Sequence, residues 1–221
     1  KYMYERLSAQ DNSFLVSETA NVPLHVGGVG IYELGDLAGE TGGVDIRRFK
    51  QALEAQLHRI PRYREKLQYV PFEGRPVWVD DAHFNIDYHV RHAALPKPGG
   101  IEELKKLTGR ITTRPLDRSR PLWEMWVIEG LSDNRFAIVN KIHHCMIDGT
   151  AGADVAQILM SPSPNQEIGQ PRPFIPRAAP SAVELVTDAA GRLFSAPFQI
   201  IEGMAGLARQ TADFGGELRT R

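Results

Sequence analysis

The sequence predicts an α/β sandwich, and three observations carry that prediction. Strand and helix periodicities alternate irregularly along the chain, two strand patterns stand close enough to form a hairpin, and the apolar content supports a real core. Of 221 residues, 42% are hydrophobic, enough for one large domain or one and a half smaller ones. From the order of elements alone, the choice is between an α/β and an α+β sandwich.

Residues 23–34, PLHVGGVGIYEL, are rich in apolar and β-branched side chains and read as a strand. Gly27 and Gly28 mark a bulge or a close backbone approach there. Next, Ile46, Phe49, Leu53, Leu57 and Ile60 recur every three or four residues, which makes one face of a helix, with Asp45 as N-cap and Pro61 as stop. KLQYVP, PVWVD and IDYHV are short strand candidates between residues 63 and 90. Residues 101–111 repeat the helical pattern through Ile101, Leu104, Leu107 and Ile111. LWEMWVIEG and RFAIVNKIHH follow as two strands joined by the turn LSDN. DGTAGADVAQILM reads as a turn and helix with Asp148 or Thr150 as cap.

Composition shifts at residue 161. Residues 161–180 hold six prolines without periodicity and read as a linker. Ser181 and Glu184 have the spacing of a capping box, and a helical pattern apolar on one side runs on to the end, broken at Pro197. The domain reading is therefore 1–160, a linker 161–180, and a helical segment 181–221. The apolar side of the last segment packs on another domain or lies on a lipid surface, the first being the commoner outcome.

Twenty-six basic and 27 acidic residues leave a net charge of −1, which gives no electrostatic footprint for nucleic acid. The single cysteine, Cys145, excludes an internal disulfide and a cysteine-rich metal site. The N-terminal residues lack a signal-peptide pattern, and no apolar run approaches the roughly 18 residues of a spanning helix. A cytoplasmic protein is expected, free or seated on a membrane surface.

The chemistry concentrates in KIHHCMIDGTAG, residues 141–152. If the strand stays extended to its end, His143 and His144 point to opposite faces, so a two-histidine metal site is awkward and none is expected. One histidine is then free to move protons at neutral pH, while a hydrogen-bonded buried pair is the plainer alternative. Asp148, beside Gly149, could orient the imidazole or hold the loop through an arginine. Cys145 as a nucleophile is disfavoured, because sequence neighbours on a strand face apart.

HHCMIDG, residues 143–149, resembles the HHxxxDG signature of the CoA-dependent acyltransferase superfamily, which includes chloramphenicol acetyltransferases, carnitine acyltransferases and peptide-synthetase condensation domains. PLDRSRPLWEMWVIEGL with its Pro121-Leu122-Trp123 element, VPLHVGGVGIYE and FNIDYHVRHAALPKPG narrow the resemblance, over about residues 3–160, to the bacterial wax ester synthase/diacylglycerol acyltransferase family. The resemblance implies a chloramphenicol-acetyltransferase-like α/β sandwich, the N-terminal domain of a two-domain enzyme with its active site in a tunnel between the domains. It implies His144 as general base, His143 in support, Asp148 as an orienting residue paired with an arginine (Arg110, Arg114, Arg118 or Arg120), and Gly149 at the turn. It also implies Pro121, Leu122, Trp123 and Asn140 near the substrates, acyl-CoA as co-substrate with no bound cofactor, and diacylglycerol or a fatty alcohol as acceptor. Members of that family are roughly twice this length, so the remaining partner would be the chain's own C-terminal domain. The competing readings are another HHxxxDG acyltransferase with a different acceptor, and a non-catalytic module on a lipid surface.

Overall fold

The computed structural model describes residues 4–40, 42–147 and 169–192. They fall into two compact units, one within residues 4–68 and 75–179, the other within 69–74 and 180–192.

The first unit is built on a four-stranded sheet of β2 (His25–Glu33), β7 (Arg135–His143), β6 (Trp123–Leu131) and β5 (Val90–Ala94), in that order. The β2–β7 and β6–β7 pairs are antiparallel and β5–β6 is parallel. Helix α4 (Ile101–Thr112) lies between the parallel strands in the chain, and this β–α–β unit decides for α/β. The expected hairpin is present: Asp133 and Asn134 turn it at φ 61° and 55°, a left-handed conformation that short polar side chains tolerate. A register shift between Ile128 and Leu131 falls at Gly130, whose φ of 83° permits the bulge.

Adjacent residues of each strand feed opposite layers. On one face, helix α2 (Ile46–Leu57) brings Leu53 and Leu57 to Val90, Met125, Val127 and Phe136. On the other, Leu104 and Ile111 of α4 meet Ile128, Ala137 and Val139. Both helices follow the sequence pattern. Asp45 caps α2 by accepting from the Arg48 amide at 3.1 Å, and Glu103 closes the start of α4 by accepting from Gly100 N at 3.0 Å. The glycine pair of β2 marks a close approach rather than a bulge: a Cβ on Gly27 would stand 2.9 Å from the Asn140 carbonyl oxygen, and the β2–β7 register runs unbroken.

A second, three-stranded antiparallel sheet holds β1 (Glu5–Arg6), β4 (Val77–Asp80) and β3 (Glu65–Gln68), with β4 in the middle. Helix α1 (Ala9–Ser17) belongs to this layer. Its Leu15 joins Leu7, Leu67, Trp78, Leu116, Leu122 and Cys145 in one buried cluster. The IDYHV stretch departs from expectation. Asn85 accepts from the Asp87 amide at 2.8 Å and starts a helical turn, α3 (Ile86–His89), so the strand begins only at Val90. The described part of the Pro-rich stretch, 169–179, has no regular structure. It is tied down where Arg177 binds Asp80 and Glu65.

In the second unit the capping box is formed. Ser181 N donates to Glu184 Oε2 at 2.8 Å and Glu184 N to Ser181 Oγ at 3.3 Å, opening a helix over 182–192. No helix among the described residues is long and apolar enough to cross a membrane.

Leu104 is 2% exposed in the layer beneath α4. Leu104→Ala is expected to lower unfolding free energy by about 2–5 kcal/mol, read by denaturant titration.

Candidate active site

The end of β7 is stitched on both sides. His143 N donates to Leu122 O at 2.9 Å, and His144 N donates to Leu24 O at 3.0 Å. The strand stops at His143, and His144–Met146 form a single 3-10 turn. His143 causes the stop: its Nδ1 accepts from the Cys145 amide at 3.1 Å and caps the turn. The strand alternation expected through His144 therefore ends one residue early. Both rings meet the α1 segment, His144 stacked on Phe14 with centroids 3.9 Å apart and His143 beside Glu18.

The two histidines have different surroundings. His143 has no exposed side-chain surface, and its Nε2 lies 3.5 Å from Glu18 Oε2. Burial holds its pKa below the ordinary histidine value, against the pull of Glu18. His144 is half-buried, and its Nδ1 is buried with no hydrogen-bond partner among the described residues. Cys145 turns into the core, where burial pushes its thiol up to about 12. That is the reverse of a reactive thiolate.

Glu18 closes the base of the site. Its side chain is 6% exposed. Oε1 accepts from Leu24 N at 3.1 Å, and Oε2 accepts from Arg118 Nε at 3.1 Å and Nη2 at 2.7 Å. Burial alone would raise its pKa, but the Arg118 and Leu24 hydrogen bonds prevail and hold it below the usual carboxylate value. Opposite His143 on β2, His25 Nε2 bonds the Thr112 carbonyl, and burial lowers its pKa too. Lys141, 1% exposed, donates to the carbonyls of Ile111 and Arg114.

Pro121, Leu122 and Trp123 are buried where the chain enters β6, beside the motif strand, Trp123 pairing with Ile142. Trp123 donates from Nε1 to Tyr63 O at 2.8 Å, and its carbonyl accepts from His89 Nδ1 at 2.8 Å. The His89 ring stacks on it at 4.5 Å. Asn140 sits mid-strand, its Oδ1 buried and without a partner among the described residues. Asp148 and Gly149 lie outside the described residues. Of the four candidate arginines, Arg118 binds Glu18, and Arg120 lies over the Tyr88 ring at 4.2 Å. No group of three or more His, Cys, Asp or Glu among the described residues is arranged to hold a metal ion.

Residues 7–220 match the family model described as wax ester synthase/diacylglycerol acyltransferase catalytic domain. The chain belongs to this family. It is 38% identical over 190 residues to the probable diacylglycerol O-acyltransferase tgs3 of Mycobacterium tuberculosis, covering 86% of this chain and 68% of that protein. It also superposes on the wax ester synthase/diacylglycerol acyltransferase from Marinobacter aquaeolei VT8 with a TM-score of 0.60 at 32% identity, covering 76% of this chain and 39% of that one. The starter condensation domain of rhizomide synthetase shares the fold, with a TM-score of 0.55 at 13% identity, 72% of this chain and 38% of that one being matched. The chloramphenicol-acetyltransferase-like α/β class thus stands. The chain spans about two thirds of the mycobacterial relative but well under half of the two solved proteins.

Glu18, Phe14, His25 and Lys141 were not singled out by the sequence. Glu18 and Arg118 are 100 residues apart, and nothing periodic links them. The available hints were the family stretch containing His25, the motif stretch that begins at Lys141, and Arg118 among the candidate arginines.

The site layer should be acid-sensitive. Burial pushes His89 down to about 4, so it is neutral in the fold while the unfolded chain protonates near 6.5. Its contribution is intact above about pH 6.5 and lost as pH falls towards 4, on the order of 3 kcal/mol in total. His25 and His143, also lowered, act in the same direction. Unfolding free energy measured from pH 7 to 4.5 should decline, and His89→Asn should flatten the slope even while lowering stability at pH 7.

Proposed function

We propose that the chain carries the histidine motif of an acyl-CoA-dependent O-acyltransferase acting on diacylglycerol, a long-chain alcohol, or both. The observation that carries the reading is the contrast at the motif: His143 is sealed and hydrogen-bonded, while His144 stands half-buried on the turn beyond it. A base must reach both substrate and proton, and of the two rings only His144 has exposed surface.

His144 takes the proton of the acceptor hydroxyl as its oxygen attacks the thioester carbon of acyl-CoA. The tetrahedral intermediate collapses with loss of the carbon–sulfur bond, and the imidazolium returns the proton to the CoA sulfur. No acyl-enzyme is formed. General-base help of this kind is worth about 10²–10⁴-fold. Phe14 limits rotation of the ring by stacking on it. Pro121, Leu122 and Trp123 act by holding the motif strand along its edge, Leu122 O accepting from His143 N. Asn140, with its unpaired amide oxygen, offers a hydrogen bond to substrate. Asp148 and Gly149 shape the loop after the turn. The tunnel is completed by a C-terminal domain, which the greater length of the solved relative supports. So does the outer strand β2, which leaves Val26, Val29 and Ile31 exposed. Lipid acceptors favour a cytoplasmic protein that works peripherally at the inner membrane or lipid bodies.

The test is turnover of palmitoyl-CoA by the full-length protein, its C-terminal domain included, with diacylglycerol, hexadecanol or small amines as acceptor. Ester formation with either lipid is expected. Preference for amines would transfer the chain to another acceptor class within the superfamily. His144→Ala should lose 10²–10⁴-fold in kcat with an unchanged melting temperature, and full retention would end the base assignment. Cys145→Ala should stay within a few-fold of the parent, whereas a thousand-fold loss would indicate a thiol intermediate.

A further inference from the structure

The His143 ring is oriented by what it touches. Nδ1 accepts the Cys145 N–H, so in the neutral ring the proton sits on Nε2, the atom 3.5 Å from Glu18 Oε2. That separation is longer than a normal hydrogen bond, but both side chains are almost removed from solvent, where a carboxylate charge acts on a neighbouring N–H dipole with little screening. Glu18 in turn is fixed by three donors, Leu24 N and two nitrogens of Arg118, and Arg118 also donates to Leu15 O at 2.8 Å. The carboxylate therefore joins the end of α1, the loop before β2, the loop before β6 and the motif strand.

We infer that Glu18 is a positioning residue for acyl transfer, holding the His143 ring in the Nε2–H tautomer and, through the Cys145 amide, the turn that presents His144. The inference rests on the reading of His144 as the base. A charged carboxylate is suited to the task because it only accepts: the opposite His143 tautomer would place a lone pair against it and would turn an N–H against the Cys145 amide. Either clash would loosen the cap and release the first residue of the turn, His144. Charge balance agrees. Arg118 already neutralises Glu18, and His25 stands opposite His143 on β2, so a protonated His143 would be a surplus cation in a closed site.

Two measurements on the full-length protein, its C-terminal domain included, decide the matter. Ring ¹⁵N NMR of histidine-labelled protein at neutral pH should show His143 as the Nε2–H tautomer, with a mixed signature in Glu18→Gln. This readout needs no turnover. In kinetics with palmitoyl-CoA and diacylglycerol, Glu18→Gln should lower kcat about 10-fold or more with KM for acyl-CoA within two-fold. His143→Asn keeps an acceptor for the Cys145 amide but removes Nε2, so the double variant should be no slower than His143→Asn alone. An Nδ1–H tautomer in the parent, an unchanged kcat in Glu18→Gln, or losses that multiply in the double variant would each overturn the inference. Full activity of His144→Ala would instead overturn the base assignment, leaving the tautomer result to decide whether Glu18 orients His143.

Discussion

A carboxylate nearly removed from water must find its charge and its hydrogen bonds inside the fold. Glu18 meets both needs by gathering chain segments that the sequence keeps far apart. Arg118 supplies the opposite charge and two donors, and Leu24 supplies a third. Each donor comes from a loop that directly precedes a strand of the main sheet, β6 and β2 respectively. Those strands are the two neighbours of β7. Pinning their entry loops to one carboxylate fixes how they meet the end of β7, which is where the two histidines sit. Such a pair adds modest stability, because desolvation consumes much of the Coulomb gain.

The unequal fates of two adjacent histidines follow from where the strand ends. Had β7 continued, His144 would have stood on the face shared with Ile138 and Ile142, packed under α2. The His143 cap stops the ladder instead. The 3-10 turn carries His144 onto Phe14 and drops Cys145 into the cluster with Leu15 and Leu122. A single side chain to main chain hydrogen bond thereby separates a sealed imidazole, a partly exposed one and an inert thiol within three residues.

Helices α2 and α4 and the β6–β7 hairpin were legible because each buries one regular face against the sheet, and burial of that kind writes a period into the sequence. Helix α1 was not. Its AQDNSFLVS stretch has polar residues through the first turn and a buried Leu15 alone, so no stripe appears. IDYHV looked extended because it runs straight into the strand that begins at Val90, but the Asn85 cap delays that strand by one helical turn. At the site, the histidines were visible as a motif, whereas Glu18, Phe14 and Arg118 meet them only through tertiary geometry. A buried carboxylate and an exposed one are the same letter in a sequence. Asp148 and Gly149 were readable by resemblance and lie outside the described residues.

Lys141 shows the same logic from the opposite charge. It lies on the α4 face of β7, one residue pair before His143, and a buried ammonium there needs acceptors. The last carbonyls of α4 need donors, since helix ends leave theirs unpaired. Lys141 takes those of Ile111 and Arg114 while His25 bonds that of Thr112, and the negative end of the helix dipole favours the cation. Burial lowers the pKa of Lys141, yet two carbonyls of the last turn and that of Arg114 just beyond it, engaged by two adjacent strands, fix where the chain leaves α4. From that point it must reach Arg118 and then Trp123 within a few residues. The placement of Arg118 beside Glu18 is therefore constrained from both ends, by the terminus of α4 on one side and by the start of β6 on the other. The carboxylate at the centre of the site is matched by a cation whose position the rest of the sheet has already determined.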